Sequence, residues 1–281
     1  MKKKHKSIIF SLALLNIIFF FFFLDFSSSP ELKVIYFDVG QGDSIFIETS
    51  SKHQILIDGG PSKSSLLEKL SYSMPFWDKS IDLIILTHVE KDHVTGLFDV
   101  LDNYVVENIL WSGVEKETKI NDTWEKLIKK EGANIYISDE VDKIILGETT
   151  LDIINFDRNK FLKDINDTSV LCKLYFKEST FLFTGDISIK VEKEIINDNI
   201  SADILKIPHH GSKYSSSKDF IEKVNPLVAV IQVGKNSYGH PTNEVLTLLS
   251  NFGIRTLRND INGDIKIVSD GTDYKIIISK K

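Results

Sequence analysis

Six consecutive residues, His88-Val89-Glu90-Lys91-Asp92-His93, hold four side chains able to ligate a metal. Imidazole and carboxylate are the donors a divalent cation takes when one position must stay open for water or substrate. The run follows an apolar, strand-like segment at residues 81–87 and leads into a helically patterned one at residues 94–101. Ligands at the end of a buried strand stand on a rigid element with room above them. Of the seven histidines, two lie here, His209 and His210 are adjacent, and His240 follows. Scatter does not explain that grouping.

A length of 281 residues and a hydrophobic content of 42% support one large core or two smaller ones. The formal net charge of −6 provides no global cationic attraction for nucleic acid, which draws on clustered Lys and Arg. Cys172 is the single cysteine, so an intramolecular disulfide and a thiolate metal cluster are both excluded. It lies in a strand-like run and reads as a packed thiol. Metal ligation therefore falls to His, Asp and Glu.

The N-terminus is of another kind. The basic cluster Met1-Lys2-Lys3-Lys4-His5-Lys6 precedes an apolar run at residues 8–24 that only Ser11 and Asn16 interrupt. A bilayer span takes about 17 to 25 residues, and a signal-peptide core about 7 to 15. Ser27-Ser28-Ser29 offers small residues for cleavage, but Pro30 follows at once. The run reads as an uncleaved single-pass anchor in the lipid bilayer of the cell membrane, with secretion after cleavage as the alternative. The basic flank keeps the N-terminus cytoplasmic and the remainder extracytoplasmic. With no second apolar span, a channel is not expected. The expected layout is flank, anchor and linker over residues 1–29 and one domain over residues 30–281.

Short β-branched runs at residues 32–38, 44–49 and 54–57, separated by glycine turns, predict an antiparallel meander. Helical patterns at 64–72, 94–104 and 121–131 then interleave with strands at 81–87, 106–111 and 134–137. A second cycle places strands at 169–176, 180–184, 204–207 and 228–232. Its helices fall at 187–197, 217–224 and 242–251. A hairpin around Asp270-Gly271 closes the chain. Two β-rich halves, each with helices to cover it, imply two packed sheets flanked by helices.

Four further segments place a polar donor where an apolar run stops, as ligand sites in layered α/β architectures do. They are Phe183-Thr184-Gly185-Asp186, Lys206-Ile207-Pro208-His209-His210-Gly211-Ser212, Gly239-His240-Pro241 and Asn166-Asp167-Thr168-Ser169. Together with Asp38-Val39-Gly40-Gln41-Gly42-Asp43-Ser44 and Leu56-Ile57-Asp58-Gly59-Gly60, these segments resemble the metallo-β-lactamase superfamily. More narrowly, they resemble the metallo-β-lactamase-like domain of ComEC-type competence proteins, from about Leu32 to the C-terminus. The resemblance implies an α/β fold, a four-layer αββα sandwich, with one or two divalent ions held between the sheets. It also implies hydrolase activity, phosphodiesterases and nucleases included.

Carried over by position, His88 and Glu90 would serve a first metal, and Asp92 and His93 a second. Asp186 would bridge the two, and one of His209 and His210 would complete the second site. Glu90 stands where the superfamily has histidine and ComEC-type domains commonly have aspartate. Asn166 or Asp167 stands where a later histidine is usual. Both departures enrich the first site in oxygen, so Mn or Mg gains ground against Zn. Asp92 and His240 are the residues expected to act on the substrate, His240 as a binding group or proton donor. Asp58 and Asn166 are expected to support the ligands from behind.

Each residue has a plainer alternative. Asp92 could cap a helix, His240 could bond its own turn, Asp58 or Asn166-Asp167 could form turns, and Asp38 and Asp43 could tie down theirs. Lys206, Lys213 and Lys235 could meet phosphates or simply be solvated. The leading expectation is a membrane-anchored, extracytoplasmic hydrolase of phosphodiesters such as nucleic acid, possessing no obligate protein partner and linked to DNA uptake. The alternatives are a hydrolase of a small ester, lactone or β-lactam, and a non-catalytic metal-binding accessory protein.

Overall fold

Alternation of apolar side chains, with both faces covered, builds this fold. In β1 (Leu32–Tyr36), Val34 and Tyr36 face one apolar cluster and Ile35 faces another. The same period of two recurs in β2 (Ile45–Glu48), β3 (Gln54–Ile57) and β4 (Ser80–Leu86). A computed structural model describes residue 16, residues 30–61 and residues 63–280. The apolar run at residues 8–24 and its basic flank lie outside the described residues, apart from Asn16. Among the described residues no helix is long and apolar enough to cross a membrane.

Residues 31–281 form one compact unit. Its remaining strands are β5 (Val105–Trp111), β6 (Asn134–Ile137), β7 (Lys143–Leu146), β8 (Thr149–Ile154), β9 (Leu171–Phe176), β10 (Ser179–Phe183), β11 (Ile204–Lys206), β12 (Val228–Ile231), β13 (Arg255–Arg258), β14 (Ile265–Ser269) and β15 (Tyr274–Ile278). One sheet runs β15-β14-β1-β2-β3-β4-β5-β6, and the other runs β13-β12-β11-β10-β9-β8-β7. The predicted meander is present in β1-β2-β3, and β4 to β6 then add in parallel.

The inward faces share one core, in which Ile47, Ile57 and Ile85 belong to the same cluster as Phe181, Phe183 and Val230. The outer face of the first sheet is covered by α1 (Lys63–Ser73), α2 (Lys91–Asn103) and α3 (Lys119–Glu131). The second is covered by α4 (Ile189–Glu194), α5 (Lys218–Val224) and α6 (Asn243–Asn251), and a short α7 (Asn259–Asn262) precedes β14. Helix, sheet, sheet, helix is the expected order of layers.

Several elements depart from expectation. The helix expected at 187–197 contracts to α4, whose N-cap Ser188 accepts from Lys190 N. The β7–β8 hairpin and β13 carry too weak an alternation to be read locally, since β7 and β13 are edge strands with half-exposed faces. Helix α2 begins at Lys91 with Glu90 as its N-cap, so Asp92 is not a capping residue.

One close approach positions the future site. A Cβ on Gly96 would lie 2.0 Å from Gly59 O, and one on Gly59 would lie 2.5 Å from Leu97 N. Only glycine admits that contact, which lets Gly59 N donate to His93 O at 2.6 Å and Gly96 N to Gly60 O at 3.0 Å. The loop after β3 is thereby fastened to the first turns of α2.

Candidate metal centre

Five strand ends deliver polar side chains to one end of the sandwich. Asp58 follows β3, Thr87 and His88 follow β4, and Asp92 and His93 occupy the first turn of α2. Asp186 follows β10, and Lys206 ends β11 just before the 3-10 turn Pro208–Gly211. Because β10, β11 and β12 are parallel, Asp186, His210 and Gln232 emerge side by side.

His88, His93 and Asp186 each offer a ligand atom within 4.8 Å of the others, as do Asp92, His93 and His210. Asp43 joins Asp186 and His210 in a third such group. His93 Nε2 lies 3.4 Å from Asp186 Oδ2, and His210 Nε2 lies 3.3 Å from the same oxygen and 3.4 Å from Asp92 Oδ2. Segments nearly 120 residues apart in the chain thus meet at one end of the sandwich.

The rings are aimed from behind. His93 Nδ1 bonds Asp58 Oδ2 at 2.8 Å, and Asp58 also accepts from Thr87 N and Thr87 Oγ1. His210 Nδ1 donates to Gln232 O at 2.8 Å. With both Nδ1 atoms engaged, each Nε2 faces the shared space. Those two Nε2 atoms are buried and have no hydrogen-bond partner among the described residues. An unmet buried polar atom costs about 1–3 kcal/mol. Convergent imidazole nitrogens with carboxylates on all sides fit a divalent cation.

The paired histidines separate in role. Both adopt the left-handed backbone, with φ of 49° and 53°, a conformation rare outside glycine and tolerated mainly at functional sites. The turn sends His210 into the cluster, while His209 stacks edge-on against His240, ring centroids 5.6 Å apart. A cleft of about 550 Å³ opens over the site, lined by Glu90, Asp92, Asn166, Asp186, His209 and His240 among others. Glu90, His209 and His240 share the cleft without entering a group of three convergent His, Asp or Glu donors among the described residues, and Asn166 lines the cleft with them. Asn166 Oδ1 is buried and without a hydrogen-bond partner among the described residues, whereas Asp167 is spent on Ser188 N at 2.8 Å.

Asp43 and Lys206 do more than local patterning suggests. Asp43 is not a turn clamp: it is buried, ion-paired to Lys206 and 3.3 Å from His210 Nδ1. Asp38 likewise reaches away from its own turn, its carboxylate pairing with Lys280 near the C-terminus. Lys206 is neither solvated nor open to a phosphate. At 1% exposure its Nζ donates to Gly185 O at 2.7 Å and to Asp186 Oδ1 at 3.2 Å. A lysine inside the apolar run Ile204-Leu205-Lys206-Ile207 was the available signal, since a buried ammonium requires a buried counter-charge.

Electrostatics follow from this packing. Burial pushes the Asp186 carboxyl up, but His210, His93 and Lys206 together hold it well below the usual range. Burial and the neighbouring His93 push His88 down to about 3, leaving a neutral ring. In the metal-free protein burial opposes the charged form of His210, yet Asp186 and Asp43 raise it to about 10. Burial and then His209 lower His240, so that ring is neutral at neutral pH.

The family model for the metallo-beta-lactamase superfamily matches residues 37–235. The chain belongs to that superfamily, and its fold and buried histidine–aspartate cluster place it among the metal-dependent hydrolases of that fold. It is related to competence proteins: it is 32% identical over 262 residues to ComE operon protein 3 of Bacillus subtilis, covering 85% of this chain and 33% of that protein. It is 27% identical over 247 residues to competence protein ComA of Neisseria gonorrhoeae, covering 84% of this chain and 32% of the relative. The chain thus spans about a third of these relatives' length. Among solved structures, the metallo-beta-lactamase fold protein YhfI of Bacillus subtilis superposes with a TM-score of 0.55 at 12% identity, covering 82% of this chain and 96% of that one.

Proposed function

We propose that the protein is a metal-dependent phosphodiesterase acting on DNA, held outside the cytoplasm by an anchor at residues 8–24 that precedes a domain at residues 30–281. The observation that carries the catalytic part is the convergence of Asp92, His93, Asp186 and His210 with both Nε2 atoms unpartnered. The relation to competence proteins supports the choice of substrate. The basic residues 2–6 followed by the apolar run support the location.

Asp92, His93 and His210 would hold one ion, and His88 with Asp186 would hold a second, with Glu90 and Asn166 lining the cleft beside them. Mn, Mg and Zn are the candidates, and the oxygen-rich side favours the harder two. When bound, such an ion acidifies water and polarises a phosphoryl oxygen. The chain's own groups do the rest. Asp58 and Gln232 fix the ring orientations of His93 and His210. His240, neutral and at the cleft wall, offers a hydrogen bond to substrate or leaving group. Lys91 and Lys235 line the same cleft and supply charge for phosphates, and Tyr238, 73% exposed there, offers a face for stacking a base.

The test is hydrolysis of single- and double-stranded DNA by protein loaded in turn with Mn, Mg and Zn. Metal uptake without cleavage of either substrate would remove the nuclease reading and leave a binding role.

A further inference from the structure

The register of the strands divides the domain into two ends. Tyr36, Ile45, Ile57, Ile85 and Trp111 lie at the end that carries the metal cluster. Lys33, Glu48, Gln54, Ser80 and Val105 lie at the opposite end. The second sheet follows suit, because Ser179 Oγ meets Ser269 Oγ at 2.6 Å, and Ser269 pairs with Leu32. Leu32, the first residue of β1, is therefore at the end away from the cluster.

At that same end the segment between α1 and β4 exposes two large aromatic rings. Met74 is buried, but Phe76 is 82% and Trp77 73% exposed, with ring centroids 4.8 Å apart in an edge-to-face pair. The segment is tied down beneath them. Asp78 N donates to Pro75 O at 2.9 Å, and Asp78 accepts from Ser80 N, Ser80 Oγ and Gln54 Nε2. Val105, 66% exposed, joins them through its N–H to Lys79 O at 2.8 Å, and Tyr72 is 84% exposed on the last turn of α1. A fixed turn that turns its rings outward has no folding reason to do so, and exposed apolar clusters mark contact surfaces.

We propose that Phe76 and Trp77 form a knuckle that inserts into the interfacial layer of a lipid bilayer. The inference rests on the anchor reading above. The apolar run at residues 8–24 leads, through a short linker, to Glu31 and Leu32 at this end of the sheets. Membrane-water interfaces favour Trp and Tyr, whose rings are apolar with a polar edge. The seven residues of β4 separate the knuckle from His88, so the cluster would stand about 20 Å further from the lipid, its cleft facing the aqueous side. A second contact with the bilayer, in addition to the anchor, would set the domain's orientation.

The test uses the full chain reconstituted in phosphatidylcholine vesicles, with and without bromine on the acyl chains. Trp111 and Trp124 are 5% and 0% exposed, so Trp77 supplies the solvent-accessible emission. Brominated lipid is expected to quench wild-type emission and to leave Trp77→Phe unchanged, and Trp77 should be lost to acrylamide on reconstitution. Chain that survives a carbonate wash on the vesicles, yet shows no bromine quenching and keeps Trp77 open to acrylamide, overturns the knuckle while the anchor stands. Trp77 shielded from acrylamide but unquenched by bromine would assign it to a second copy of the chain and equally overturn the proposal. Chain removed by the wash overturns the anchor reading, and the knuckle with it.

Discussion

Asp58 Oδ2 accepts a hydrogen bond from His93 Nδ1 at 2.8 Å, with both residues buried. This one contact sets the tautomer of the ring at the centre of the cluster. Asp58→Ala should lower metal affinity by about 10–100-fold, as loss of such supporting carboxylates does. Calorimetric titration of the purified variant measures it, and unchanged affinity would mean that Asp58 only shapes its turn.

Lys206 lies between Asp43 and Asp186 with no water access. Replacing it with Met removes the ammonium shared by two buried carboxylates and leaves only the histidines beside them, at a cost of about 3–5 kcal/mol. The metal-free variant should unfold at markedly lower urea than wild type, and divalent metal should recover part of the difference. Equal urea midpoints in chelator would show that the pair contributes nothing net.

His209 and His210 make a controlled comparison. His210→Ala should abolish binding at the Asp92–His93 site, because it removes a convergent Nε2. His209→Ala should leave metal content unchanged while weakening substrate turnover, because that ring contacts His240 instead. Metal content measured on both proteins after gel filtration decides between them, and the reverse pattern would invert the assignment.

In the metal-free protein Asp186 and Asp43 lift His210 from 6.5 to about 10 against the opposing effect of burial. A raised folded value means that protonated His210 stabilises the fold, fully below about pH 6.5 and progressively less toward pH 10. The melting temperature in chelator should therefore fall as pH rises across that window. Metal must displace the same proton, so metal affinity should rise with pH. A chelated protein whose melting temperature is flat from pH 7 to 10 would contradict the charge placement.

Cys172 is 1% exposed, and burial followed by the charge of Asp58 pushes its thiol well above the usual range. Iodoacetamide at pH 8 should leave the native chain unmodified and alkylate it fully in denaturant, as mass spectrometry would read. Rapid native modification would mean that the core between the sheets opens.

The amino-acid sequence by itself determined the element types and the places where chemistry could sit. Apolar alternation marked most strands of both sheets, and donors at Asp58, His88, Asp186 and His210 stood at strand ends, because side-chain periodicity and turn chemistry are local properties. Tertiary structure decided which donors meet. The choice of His210 over His209 depends on a left-handed backbone turn, the roles of Lys206 and Gln232 depend on parallel pairing of β10, β11 and β12, and Asp43 meets Lys206 from the opposite sheet. Glu90, two residues from both His88 and Asp92, stays at the rim because the chain turns into α2 at that point. Ligand identity travels with the residue, whereas coordination depends on approach across the two sheets, which no local pattern encodes.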